Sequence, residues 1–150
     1  MNGLDAHLPA LQVVVPMLTA AFVVLLSPRG LAWAAATAAS LLSFAIALQL
    51  TATVAGGITI DYAMGSWPAP YGIALEVDSF SALLLLVVTG ASTLALVGGR
   101  ASLDSEIRTD RQPYYYSAWL LALAGLCGIV VAGDAFNIFV FMEISSLASY

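Results

Sequence analysis

The chain has 150 residues, of which 61% are hydrophobic and 9% are charged, and its mean hydropathy is +0.97. Ordinary soluble domains are about 25% charged, and small ones leave much of their surface exposed. The composition therefore excludes a soluble globular domain and favours the lipid bilayer as the solvent. The net charge of −5, with four basic residues, also argues against a nucleic acid as partner.

Four apolar segments without charged residues are long enough, or nearly so, to cross a bilayer as helices. They lie at about residues 8–26, 34–54, 79–97 and 115–131, and a crossing needs roughly 17 to 25 helical residues. A fifth segment, 135–150, is still apolar where the sequence stops, without a glycine or polar tail. We predict an all-α polytopic membrane protein with four full transmembrane helices and the start of a fifth. We expect these 150 residues to form one membrane domain of a longer protein, truncated at the C-terminus.

The stretch from about residue 58 to residue 78 has a different pattern. Ile58, Ile60, Tyr62 and Met64 alternate with Thr59, Asp61 and Ala63, and a second alternating run covers residues 73–77. A region rich in proline and glycine separates the two runs. Period-2 alternation around such a connector predicts a β-hairpin in the loop that joins the second and third helices.

The charged residues divide between the two sides of the predicted bundle. With four crossings, the loops at 27–33 and 98–114 share one side, and they hold Arg29, Arg100, Arg108 and Arg111. The charged residues on the other side are all acidic, namely Asp5, Asp61, Glu76, Asp78 and Asp134. By the positive-inside rule we expect the arginine side to be cytoplasmic and the N-terminus to lie outside.

Glu143 is the one acid inside an apolar segment. A charged acid at the centre of a membrane helix costs about 3 kcal/mol, so such residues usually mark proton or ion pathways. Glu143 follows Asp134 by nine residues, or about 13 Å of helix, which predicts a position near mid-membrane. Ser146 and Tyr150 fall on the same helical face. The two interpretations are a proton-loading group and a protonated structural acid satisfied by a neighbouring helix.

Two further polar residues begin the fifth segment. Asp134 occupies an N-cap position, and a role in proton access from the outer side is the alternative. Asn137 in the first turn is expected to satisfy backbone groups or a neighbouring helix rather than to bind an ion. The sequence has no metal-ligand spacing, nucleophile triad or dinucleotide fingerprint, so we expect neither metal nor cofactor. Cys127 lies in an apolar run and is expected to be a packed side chain.

The string Gly133-Asp-x-Phe-Asn-x-Phe-Val-Phe-x-Glu143, within the run Leu123–Tyr150, resembles a segment of the antiporter-like membrane subunits. The run Tyr71–Leu84 resembles a second segment of the same family. These subunits occur in Mrp-type multisubunit sodium/proton antiporters, respiratory complex I and membrane-bound hydrogenases. Within the family, the chain looks most similar to the D-type subunits of Mrp antiporters.

The resemblance implies the N-terminal part of a fold of about fourteen helices in the bacterial inner membrane. It implies that Glu143 is an essential proton-transfer group whose lysine partner lies beyond Tyr150. The expected function is that of a proton-conducting subunit of a sodium/proton antiporter, a transporter subunit rather than an enzyme. Expected partners are other membrane subunits, protons, sodium and lipid. Two alternatives remain open: a pumping subunit of a complex I-like NADH:quinone oxidoreductase or hydrogenase, and a purely structural element.

Overall fold

The structure is a computed structural model that describes residues 5–26, 30–67 and 72–150. Six α-helices make up most of these residues. They are α1 (Leu8–Val23), α2 (Leu31–Val54), α3 (Ser79–Gly98), α4 (Arg100–Glu106), α5 (Gln112–Val131) and α6 (Ala135–Ser149). Short 3-10 turns cover Asp5–His7 and Met64–Ser66, and two strands, β1 (Ile60–Ala63) and β2 (Ala74–Val77), form a small sheet.

The predicted fold class is confirmed, although the helix count differs. Within the described ranges, α2, α3 and α5 are long and apolar enough to span a membrane, with 24, 20 and 20 residues. Helix α1 has 16 residues and ends at Val23 rather than residue 26. The N–H groups of Leu25 and Leu26 bind carbonyls three residues back, so the chain tightens into a turn there. The short helix α4 was not predicted, because mixed charges gave its residues no apolar periodicity.

Small side chains line the contacts between the helices. Helix α1 packs between α2 and α5, α2 packs on α3, and α6 packs on α5. Ala36, Ala47 and Ser43 of α2 are fully buried in these contacts. Small residues let helix backbones approach closely, which is how helices associate where the hydrophobic effect is weak. The helices of this bundle therefore pack in the way that is typical of membrane helices.

One end of the bundle carries the described arginines. The Nε1 of Trp33, at the start of α2, donates a hydrogen bond to the carbonyl of Leu96 near the end of α3, at 2.8 Å. The guanidinium of Arg100 lies 3.9 Å from the centre of the Trp33 ring, a cation–π contact. These contacts place the start of α2 at the same end as α4. Arg29 lies outside the described residues.

The predicted hairpin is confirmed at the opposite end. Strands β1 and β2 are antiparallel, with Ile60 opposite Val77 and Tyr62 opposite Leu75. Leu75 and Val77 are fully buried against the helices. The ring nitrogen Nδ1 of His7, before α1, lies 2.9 Å from the hydroxyl of Tyr62. Isolated hairpins are marginal in water, so this packing explains how a two-stranded sheet persists.

Candidate functional site

Glu143 lies near the middle of α6, nine residues after its N-cap. It is the only carboxylate in the sequence of the five apolar helices α1, α2, α3, α5 and α6. Apolar residues surround it along the chain, with Met142 and Ile144 as direct neighbours. The local sequence forms a helix because it contains no proline or glycine and begins with a strong cap.

One face of α6 packs closely on α5. Asn137, Phe141 and Ser145 lie four residues apart on this face, and Asn137 is buried while the other two are half-buried. The facing residues on α5 are Gly125 and Gly128. A Cβ atom at Gly125 would lie 2.7 Å from the backbone nitrogen of Ser145, so only glycine permits this approach.

Glu143 is on the other face of α6, turned away from α5. Phe136, Phe139 and Ser146 share this face at helical spacing, and all three are exposed. The predicted alignment of Ser146 with Glu143 is therefore present in the helix, whereas Tyr150 lies one residue past the last helical residue, Ser149. Within residues 5–26, 30–67 and 72–150, the Glu143 carboxylate makes no hydrogen bond or ion pair. The sequence contains no lysine, and none of the described arginines pairs with Glu143.

Asp134 caps α6 with both of its carboxylate oxygens. Its Oδ1 accepts a hydrogen bond of 2.8 Å from the backbone N–H of Asn137, and its Oδ2 accepts one from the Asn137 side-chain amide. These bonds to Asn137, the backbone one first, lower the pKa of the Asp134 carboxyl. Asp78 caps α3 in the same way, since its Oδ1 accepts from the N–H of Ser81 at 2.7 Å, and its pKa is also lowered. The Asp134 cap is observed where the sequence predicted it.

These two caps predict an acid-sensitive stability. A carboxyl whose pKa is lower in the folded state stabilises that state above its unfolded pKa of about 3.9, and the contribution is lost as the pH falls through the folded value. We expect thermal stability to drop below about pH 4 and the Asp134→Asn variant to show a smaller drop. Unfolding of the detergent-solubilised protein, followed by circular dichroism from about pH 6 to pH 3, measures this. Equal drops in both proteins would contradict the effect of the Asp134 cap.

A buried polar cluster, which sequence patterns did not reveal, links α2, α3 and α5. The hydroxyl of Ser40 lies 3.0 Å from those of Ser92 and Thr93, and the Nε1 of Trp119 donates to Ser92 at 2.9 Å. Each residue comes from an otherwise apolar stretch, and their meeting depends on how three helices pack. Beside Ser92 and Trp119, a largely apolar groove of about 810 Å³ runs between α3, α5 and the end of α6.

Cys127 is fully buried and its Sγ lies 3.6 Å from the Nε2 of Gln12 on α1. The prediction of a packed cysteine is confirmed. Among the described residues, no group of three or more His, Cys, Asp or Glu side chains could hold a metal ion. The candidate site is therefore a single carboxyl on an exposed helical face, with a capped helix start on one side of it.

No family model matches the chain. Several curated proteins, however, are similar to it. The chain is 41% identical over 154 residues to NADH-quinone oxidoreductase subunit N of Desulforudis audaxviator, covering 98% of this chain and 30% of that protein. It is 33% identical over 141 residues to the D subunit of the Na(+)/H(+) antiporter of Bacillus subtilis, covering 93% of this chain and 28% of that protein.

A solved structure of the Mrp complex from Dietzia sp. DQ12-45-1b matches with a TM-score of 0.85 and 29% identity. The match covers 99% of this chain and 27% of that one. Over nearly all of its length the chain is homologous to a segment of the antiporter-like membrane subunits. This antiporter-like chain spans about 30% of the length of the curated relatives it matches. The family resemblance drawn from the Gly133–Glu143 string is confirmed, as is a multi-pass membrane protein.

Proposed function

We propose that the chain is part of a proton-conducting membrane subunit of a multisubunit sodium/proton antiporter, with Glu143 as the proton-loading group. The observation that carries this proposal is Glu143 itself. It is the only carboxylate in the sequence of the apolar helices, and it faces away from every described helix that packs on α6. Placing an acid in such a helix costs free energy, and acids found there usually take part in proton or ion movement.

The depth of Glu143 supports the role. Asp134 starts α6 at the acidic end of the bundle, and Glu143 follows it by nine residues, or about 13 Å of a hydrocarbon core about 30 Å thick. A carboxyl at this depth is charged when it has lost its proton and neutral when it has gained one. Each proton transfer there changes the local charge in a medium of low dielectric, where a nearby cation responds strongly.

The charge distribution supports an orientation. Arg100, Arg108 and Arg111 lie at one end of the bundle, while the hairpin and Asp134 lie at the other. In the bacterial inner membrane that we propose, the positive-inside rule makes the arginine end cytoplasmic and puts the N-terminus outside. Protons then reach Glu143 from the outer side. No described residue pairs with Glu143, so in this proposal the rest of the pathway comes from the remainder of the full-length protein or from other membrane subunits.

Sodium-driven proton exchange tests the function. The full-length protein is assembled with its native partner subunits in everted membrane vesicles, a pH gradient is imposed, and sodium chloride is added. We expect sodium to collapse the gradient only in vesicles that carry the complex, and Glu143→Gln to remove this response. A gradient that sodium leaves unchanged would contradict an antiporter, and choline chloride controls for ionic strength.

A redox-driven pump is the second candidate. The observation that favours it is the 41% identity to NADH-quinone oxidoreductase subunit N. In such a complex Glu143 would still load protons, while electron transfer in other subunits would drive the movement. The purified native complex distinguishes the two, because flavin and iron–sulfur absorbance that co-purifies with the chain supports the pump and its absence supports the antiporter.

A further inference from the structure

We propose that the outer hairpin and the Asp134–Asn137 pair together form a positioning device that sets the depth and rotation of α6, and with them the place of Glu143. Its consequence for transport rests on the proposed function of Glu143. Asp134 and Asn137 are then positioning residues. The hairpin acts on Glu143 indirectly, through the start of α6.

The turn between α5 and α6 pairs with the hairpin through one isolated β-bridge and one further backbone hydrogen bond. Helix α5 ends at Val131, and the next residue, Ala132, is extended and forms a β-bridge with Leu75. The backbone N–H of Gly133 donates a hydrogen bond of 2.9 Å to the carbonyl of Ala74. Because Leu75 is itself fully buried, the hairpin cannot shift freely, and it holds the turn at a fixed height.

The first turn of α6 is held directly after this pairing. Both oxygens of Asp134 bind Asn137, one through its backbone N–H and one through its amide. Asn137 is only 6% exposed, because it lies on the face that packs on α5. The cap therefore connects the turn, the helix start and the α5 contact in one unit.

A helix transmits its starting position to every residue along it. A slip of one residue moves a side chain about 1.5 Å along the axis and turns it by about 100°. Such a slip would carry Glu143 from the exposed face of α6 toward the side that packs on α5. The position of the carboxyl therefore depends on the cap and on the pairing with the hairpin.

This role differs from a role of Asp134 in proton access, and one substitution separates them. Asp134→Asn removes the charge but keeps a side-chain oxygen, and asparagine is as good an N-cap as aspartate. Asp134→Ala removes both the charge and the cap. A positioning residue tolerates Asn and not Ala, whereas a proton-access group tolerates neither.

The experiment measures Glu143 directly in the full-length protein within its complex. Dicyclohexylcarbodiimide, an apolar reagent for protonated carboxyls, is reacted with membranes at fixed pH, and labelling of Glu143 is quantified by mass spectrometry. With Asp134→Ala we expect the labelling rate to change about fivefold, the factor that corresponds to a typical cap. With Asp134→Asn we expect it to stay near the wild-type rate, and sodium-driven exchange to follow the same order.

Matched controls isolate the position of α6 from a general loss of stability. Asp78→Ala removes the equivalent cap of α3, a helix without a carboxylate, and should leave Glu143 labelling unchanged. Gly133→Ala places a Cβ 3.2 Å from the carbonyl oxygen of Ala74 and should alter the labelling, whereas Gly56→Ala, with nothing within 4 Å, should not. All rates are normalised to assembled complex.

Two results would overturn the positioning device. One is equal labelling in wild type and Asp134→Ala, and the other is an Asp134→Asn variant that is as impaired as Asp134→Ala. Labelling reads the position of Glu143 whether or not the complex exchanges sodium. If exchange is absent from wild type while labelling follows the expected order, the proposed function fails and the positioning device stands.

Discussion

Replacing Glu143 by glutamine should reduce sodium-driven proton exchange to the level of vesicles without the complex, a fall on the order of a hundredfold or more, as expected when an essential proton-transfer group is removed. Glutamine has nearly the same shape as glutamate, but its amide does not gain and lose a proton in the working pH range. Helix α6 should therefore fold unchanged, since the Glu143 side chain makes no hydrogen bond to any described residue. The loss would be chemical rather than structural.

Glu143→Asp should retain part of the exchange. Aspartate keeps the titratable carboxyl but is one methylene shorter, so the group stays on the same face and lies about 1.5 Å nearer the backbone. Transfer to a partner at fixed distance becomes slower without being abolished. An intermediate rate for this variant, between wild type and Glu143→Gln, is the signature of a carboxyl that transfers protons.

A matched control makes the same chemical change elsewhere. Glu106 ends α4 at the arginine end of the bundle and is exposed. Glu106→Gln should exchange at the wild-type rate, which shows that an added amide and a lost charge are harmless in themselves. Exchange that survives in Glu143→Gln at a comparable rate would remove Glu143 from the pathway and leave a structural role for it.

The apolar helices and the hairpin could be predicted because each has a local cause. A run of about 20 apolar residues must satisfy its own backbone in lipid, so it forms a helix whatever surrounds it. The hairpin followed from strict alternation, as at Ile60 and Tyr62, interrupted by proline and glycine. Caps such as Asp134 and Asp78 were predictable because an acid directly before an apolar run satisfies free N–H groups.

The rest depends on contacts that no single segment contains. The cluster of Ser40, Ser92 and Trp119 forms only where three helices meet, and none of these residues has a distinctive neighbour pattern. The pairing of Gly133 with Ala74 joins residues 59 positions apart in the sequence. Helical periodicity could place Ser146 beside Glu143, but it could not show which face of α6 packs on α5.

Gly125→Ala should displace α6 from α5 and reduce the amount of stable complex. A Cβ at this position would lie 2.7 Å from both the backbone nitrogen and the Cβ of Ser145, and 2.8 Å from the carbonyl oxygen of Phe141. Two of these three atoms belong to the backbone, so no side-chain rotation relieves the overlap. Overpacking of this kind costs about 1–3 kcal/mol, and here the whole helix must move to relieve it.

Gly98→Ala is the matched control, because Gly98 is also a helical glycine and a Cβ there meets nothing within 4 Å. Alanine favours a helix over glycine by about 1 kcal/mol, so this variant should be as stable as wild type or more so. The two substitutions add the same methyl group, but only Gly125→Ala should lower the melting temperature of the purified complex, measured by tryptophan fluorescence. Equal melting temperatures would contradict the close contact between α5 and α6.

Ser145 and Glu143 belong to the same helix, so displacement of α6 by Gly125→Ala should also change carbodiimide labelling of Glu143. This result would link the packing of α6 on α5 to the position of the Glu143 carboxyl.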